Sequence, residues 1–169
     1  MRRAFVGADV RRAFGIGMRP IVDDDRAFLL DLYASTREAE LAPVPWPAEV
    51  KRAFLAQQFA AQHKYYHEVY KGADFLLILR AGASIGRVYV NRTPGEICVI
   101  EIALLSACRG QGIGTALFAE LIDEARANSC EINLHVEPNN PAQRLYSRLG
   151  FRLSEHRGAY DYLVWPAGS

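Results

Sequence analysis

Cysteine is scarce and unpaired: Cys98, Cys108 and Cys130 form an odd set with no two close together. That argues against a disulfide framework or a zinc cluster and points to reduced thiols in a cytoplasmic protein. Long hydrophobic runs are missing, and none approaches the roughly 20 residues a membrane-spanning helix needs. The opening "MRRAFVGADVRRAFGIG" has two arginine pairs and no continuous apolar centre, so it does not read as a secretory signal. Excess charge is missing too. A formal net charge of +1 creates no whole-molecule field for nucleic acid or an anionic membrane, and neither is expected as a partner. Repeats, low-complexity stretches and convincing linkers are absent. The chain has 169 residues, half of them hydrophobic, enough for one domain with one sizeable core. The spacing in residues 1–17 could make a short basic amphipathic helix, but they are expected to be a mobile, dispensable extension, and 18–169 a single domain.

What is present changes its period along the chain. "MRPIV" (18–22) predicts a first strand, and "DDD" (23–25) offers carboxylates to cap a helix whose stripe is Phe28, Leu29 and Leu32. "APVPWP" (42–47) ends that helix, because prolines cannot share its interior, and Pro47 suits the start of a second one. There Leu55, Phe59, His63, Tyr66 and Tyr70 share a face. After "KGAD" the period drops to two. "FLLILR" (75–80), "GRVYVNR" (86–92) and "EICVIEIALL" (96–105) predict strands joined by turns at "AGAS" and "TPG". The last is almost continuously apolar, as a strand covered on both faces would be. A helix over 112–126, a strand at 132–136, a short helix at 140–150 closed by Gly150, and a hairpin of "FRLSE" and "YDYLVW" complete the pattern. The predicted fold class is α/β (α+β), with a central mixed, mostly antiparallel sheet of about six or seven strands flanked by about four helices.

"CRGQGIGT" (108–115) stands between the long strand and the helix after it. Glycines let a backbone turn tightly and approach a ligand, and a helix start presents unpaired amides and partial positive charge. Together they suit a phosphate. A nucleotide P-loop would need a lysine before Thr115, where Gly114 stands. A dinucleotide fingerprint counted from Gly110 or Gly112 fails at Thr115 or Leu117, and it should follow the first strand of its sheet.

Arg109-Gly110-Gln111-Gly112-Ile113-Gly114 resembles the Gln/Arg-x-x-Gly-x-Gly/Ala signature of the GNAT (GCN5-related) N-acetyltransferases, and it lies where that family carries it. "NNPAQRLYSRLGF" (139–151) is similar to the family's closing motif of Asn, Ala, Leu-Tyr and Gly-Phe, one helix and one strand downstream. Motif agreement covers 96–151, and element order agrees over 18–165. The resemblance implies a GNAT-type acyl-CoA N-acyltransferase fold and transfer of an acetyl group from acetyl-CoA to a primary amine in a ternary complex, without a metal. It implies that the Gln111, Gly112, Ile113 and Gly114 amides and the Thr115 hydroxyl hold the coenzyme A pyrophosphate. Main chain of Ile102, Ala103 and Leu104 would pair with the pantetheine arm, and Asn140, or less favourably Asn139, would bond that arm. Ser106 departs from the proline common in the family, which touches little because the preceding backbone does the binding. Tyr146 is implied as the acid beside the thioester sulfur. A catalytically silent acyl-CoA-binding module and a transferase of another acyl group are the alternatives.

Attack by an amine also needs a base. Glu101 interrupts the apolar run Ile97–Leu105, and a carboxylate in a central strand needs a partner or a task. Glu96 is a more exposed option. His135 alternates with Leu134 and Val136 and has a near-neutral intrinsic pKa, so it is the second candidate. Ordered water could replace both. His63 and His67 have the i,i+4 spacing of metal ligands but no third ligand at sensible spacing, so no metal is expected. Trp46, His63, Tyr66 and Tyr70 are candidates for the acceptor wall, with core packing the equal alternative. The acceptor is a small-molecule or protein amine, and a homodimer is compatible with the pattern.

Overall fold

The apolar run at 96–105 becomes the centre of a seven-stranded sheet. The computed structural model describes residues 7–169. Its strands are β1 (Ile16–Pro20), β2 (Asp74–Arg80), β3 (Ala83–Thr93), β4 (Glu96–Leu104), β5 (Glu131–Val136), β6 (Arg152–Arg157) and β7 (Tyr160–Trp165). They lie in the order β1-β2-β3-β4-β5-β7-β6, antiparallel throughout except for β4 beside β5. The helices are α1 (Ala8–Phe14), α2 (Arg26–Leu41), α3 (Ala48–Val69), α4 (Ile113–Asn128) and α5 (Gln143–Leu149). The fold is therefore mixed α/β with a mostly antiparallel sheet. Among the described residues, no helix is long and apolar enough to cross a membrane.

Successive strand residues face opposite sides, and each side acquires its own core. Ile78, Val88, Val90, Ile97 and Val99 pack under Ile113, Leu117, Phe118 and Leu121 of α4. Leu77, one residue from Ile78, faces the other way and meets Leu29 and Tyr33 of α2 and Leu55 and Phe59 of α3. Local signals stop the helices where expected. Pro47 sits just before the first residue of α3, and Gly150 closes α5 at φ +97° with its N–H on Ser147. Asp23–Asp25 forms a 3-10 turn into α2, where the Asp25 carboxylate accepts the Val22 N–H at 2.8 Å and the Arg19 guanidinium at 2.7 and 2.8 Å.

The amino-terminal boundary lies earlier than the sequence pattern suggests. β1 begins at Ile16, paired with Arg80, so a boundary at Met18 falls inside the strand. Residues 8–14 form α1, which brings the described helices to five. The cause is apolar burial: Val10 and Phe14, one turn apart, pack on the α4-side core, and Ile16 is 3% exposed. The rest of the expected extension, residues 1–6, lies outside the described residues.

Candidate active site

β4 and β5 pair only over Glu96–Val99 against Glu131–Leu134. Beyond that ladder a cleft of about 750 Å³ opens between the two strands. Ile100–Ala103 border it from β4, His135 and Val136 from β5, Tyr146 from α5, and Arg37 and Tyr66 from α2 and α3.

One irregularity decides what β4 shows this cleft. Tyr89 of β3 pairs with Glu101, but the next residue, Val90, pairs with Val99, so Ile100 is an extra residue in the strand. Ile97 and Val99 face the α4-side core, and simple alternation would send Glu101 after them. The bulge reverses the parity. Ile102 and Leu104 take the α4 side instead, and Glu101 turns towards α3, where Tyr66 donates its hydroxyl to Oε2 at 3.4 Å. Arg87 of β3 lies 3.5 Å from the same oxygen. The Glu101 side chain is 24% exposed. Burial raises its pKa, and the Arg87 charge opposes that shift.

Tyr146 is 6% exposed, with its ring edge-on to Phe118 at 5.3 Å and tilted against Phe151 at 5.8 Å. Burial, then the carboxylates of Glu101 and Glu137, push its pKa up, so the phenol keeps its proton at neutral pH. His135 borders the same cleft but is exposed, its ring 4.9 Å from Tyr162 and its Nε2 3.2 Å from the Arg157 guanidinium. Burial and that arginine lower its pKa. Glu96 lies at the paired end of β4 and accepts the Asn133 amide at 2.5 Å.

The glycine loop follows β4 through a 3-10 turn at Ser106–Cys108. Gly110 at φ +70° and Gly112 at φ +85° use the left-handed region, which costs any other residue strain. The loop's long side chains turn back onto the protein. Arg109 Nε donates to the Leu104 carbonyl at 2.9 Å, Gln111 Nε2 donates to the Ala107 carbonyl at 2.7 Å, and Arg80 braces Gln111 Oε1 at 2.9 Å. Ala116 is the first residue of α4 to bond back into the helix, to Gly112 at 3.0 Å. The amides of Ile113, Gly114 and Thr115 precede it at the positive end of the helix dipole. Ile113 contributes only its backbone there, since its side chain is buried in the core. Asn140 Oδ1 caps the approach to α5 by accepting the Ala142 N–H at 2.9 Å, and its Nδ2 lies 3.4 Å from Glu137.

Of the candidate wall residues, Tyr66 and Tyr70 line the cleft. Trp46 is exposed and packs on Phe54, while His63 lies between Phe59 and His67. Burial, together with the charges of His67, Arg26 and Arg87, lowers the His63 pKa to about 4. His67 stacks on Phe75 at 4.0 Å, and no group of three or more His, Cys, Asp or Glu side chains that could hold a metal gathers among the described residues. Sequence reasoning missed Arg37, Gln62 and Arg87. Arg87 had a visible signal, since it breaks the apolar run of "GRVYV" as Glu101 breaks its own.

The acetyltransferase (GNAT) family model matches residues 27–151. The chain belongs to this family. Its fold is shared with solved structures at low identity. PaiA N-acetyltransferase from Thermoplasma acidophilum, solved in complex with coenzyme A, is 15% identical at a TM-score of 0.67, over 89% of this chain and 98% of that one. PH1933 from Pyrococcus horikoshii OT3 is 17% identical at a TM-score of 0.65, over 91% and 99%. Mycothiol acetyltransferase from Corynebacterium glutamicum (strain R) is 32% identical over 95 residues, 54% of this chain. The match covers 32% of that curated relative, so this GNAT chain aligns with about a third of its length.

Proposed function

We propose that this GNAT protein transfers an acetyl group from acetyl-CoA to a primary amine by direct attack in a ternary complex. The observation that carries this is the parting of β4 from β5, which frees the backbone after the ladder and puts Glu101 and Tyr146 on one cleft. The surroundings suit the cosubstrate. The left-handed Gly112 brings bare backbone to the mouth of α4, where the Gln111–Gly114 amides and the Thr115 hydroxyl would hold the pyrophosphate. Arg109 and Gly110 shape the same loop. Main chain of Ile102, Ala103 and Leu104 would pair with the pantetheine arm, and Asn140 Nδ2 would donate to it.

Bound acetyl-CoA supplies a thioester, an acyl carbon open to attack and a thiolate that can leave. The protein's own groups handle the protons. Glu101, beside Arg87, takes a proton from the incoming ammonium in its carboxylate form, directly or through one water. Tyr146, held neutral by burial, delivers one to the departing sulfur. Tyr66 and Tyr70 wall the acceptor side. The acceptor is a small-molecule or protein amine.

The test is a panel of polyamines, amino acids, aminoglycosides and peptides with free amino termini, assayed for thiol release and for acetylated product by mass spectrometry. At least one amine should give equal amounts of both. Folded protein that binds acetyl-CoA yet releases no thiol above the solvent rate with any amine would contradict the proposal.

A further inference from the structure

Arg87 is a buried cation that the chemistry above leaves without a task. It is 2% exposed in the middle of β3. A guanidinium cannot shed its charge, so burying one needs a counter-charge and acceptors for its N–H groups. Arg87 has few. Nη2 donates to Gln62 Oε1 of α3 at 3.1 Å and lies 3.5 Å from Glu101 Oε2, the guanidinium sits 5.1 Å from the Tyr89 ring, and Nε has no hydrogen-bond partner. So incomplete a solvation shell makes Arg87 costly as a purely structural residue.

The register explains what the cost secures. Arg87 pairs with Ala103, and Tyr89 with Glu101, so Arg87 and Glu101 are diagonal neighbours on one face of the sheet. They share that face because of the extra residue at Ile100. Two separate devices, a bulge in β4 and a buried cation in β3, thus converge on one carboxylate. We propose that Arg87 is a positioning residue: anchored by Gln62, it holds the charged Glu101 carboxylate at the cleft wall, ready to accept the acceptor's proton.

This assignment rests on Glu101 acting as the base. The groups facing Glu101 are Arg87 and Tyr89 from β3, Tyr66 from α3, Arg37 from α2, Glu137 after β5 and Tyr146 from α5. Arg37 is shared between Glu40 at 2.9 Å and Glu137 at 3.6 Å, which makes Arg87 the stronger of the two cations acting on Glu101. Burial and Glu137 favour the protonated acid, while Arg87 first, then Arg37 and the Tyr66 hydroxyl, favour the carboxylate. Removing Arg87 should therefore raise the pH at which Glu101 ionises.

The experiment is a 13C NMR titration of protein labelled at the glutamate side-chain carboxyl, with the Glu101 signal assigned by its loss in E101Q. In R87M the Glu101 midpoint should rise by about one pH unit or more, the usual worth of a close opposite charge, and R87K should bring it part of the way back. Should R87M not fold, R87Q carries the same test with the polar contact to Gln62 kept. A Glu101 midpoint unchanged in the folded variant would overturn the proposal. The two claims fail separately. If the midpoint moves as expected but E101Q acetylates the panel's best amine at the wild-type rate, Glu101 is no base, and the loss lies with the catalytic assignment rather than with the pairing.

Discussion

Tyr146 shows how one residue can be core and chemistry together. Its ring fills space between Phe118 and Phe151, while its place on the cleft gives the protonated phenol a position from which to donate. Tyr146→Phe keeps the packing and removes one hydroxyl. Acetyl-CoA affinity and melting temperature should stay near wild type, while turnover falls roughly a hundredfold, the usual worth of a positioned acid. Single-turnover kinetics checks it, and an unchanged chemical step would leave Tyr146 with packing alone. The residue scale is also where sequence was most informative. The glycine loop and Glu101 were visible as departures from an otherwise regular pattern, whereas Tyr146 lies on a regular helix face and was singled out only by the resemblance of the motif around it. Arg87 was equally visible, but only a structure shows that its charge lies beside Glu101.

At the scale of elements, period and punctuation located most of the chain. The change from helical spacing to alternation after "KGAD", the prolines before α3 and Gly150 after α5 are local signals, and local signals survive folding. Two features were not local. The bulge at Ile100 is a count of two residues against one on β3, so nothing in "EICVIEIALL" alone shows it. α1 was legible only as the less favoured alternative, for a related reason. Seven residues make a helix only if something receives their apolar side, and the receiver, α4, lies about a hundred residues away. The docked Phe14 ring stands 3.5 Å from where a Gly112 side chain would begin. A chain starting at Met18 loses the apolar contacts of Val10, Phe14 and Ile16 and the first β1 pairings. Its melting temperature should fall by roughly 5–10 °C, from the burial lost and the usual conversion of free energy to Tm at this size. A scanning-calorimetry trace that matches the full chain would show that α1 adds nothing to stability.

Across the whole molecule, the sheet divides two cores and the cleft opens where the parallel pair β4 and β5 comes apart. α4 stands on one side and brings its amino terminus to the far end of β4; α2 and α3 stand on the other and border the cleft. Cosubstrate and amine would thus reach one strand from different sides and meet beside Glu101. Everything in this account depends on acetyl-CoA seating its pyrophosphate at the glycine loop. The direct measurement is isothermal calorimetry of acetyl-CoA with the full chain, with Gly112→Glu and with Gly95→Glu, all checked for folding by circular dichroism. Gly95 sits in the β3–β4 turn at φ +80°, so its variant carries the same backbone strain and charge at the opposite end of β4. Binding is expected with the full chain and with Gly95→Glu, and none detectable with folded Gly112→Glu, which adds bulk and negative charge at the mouth of α4. Equal affinity in all three would contradict it.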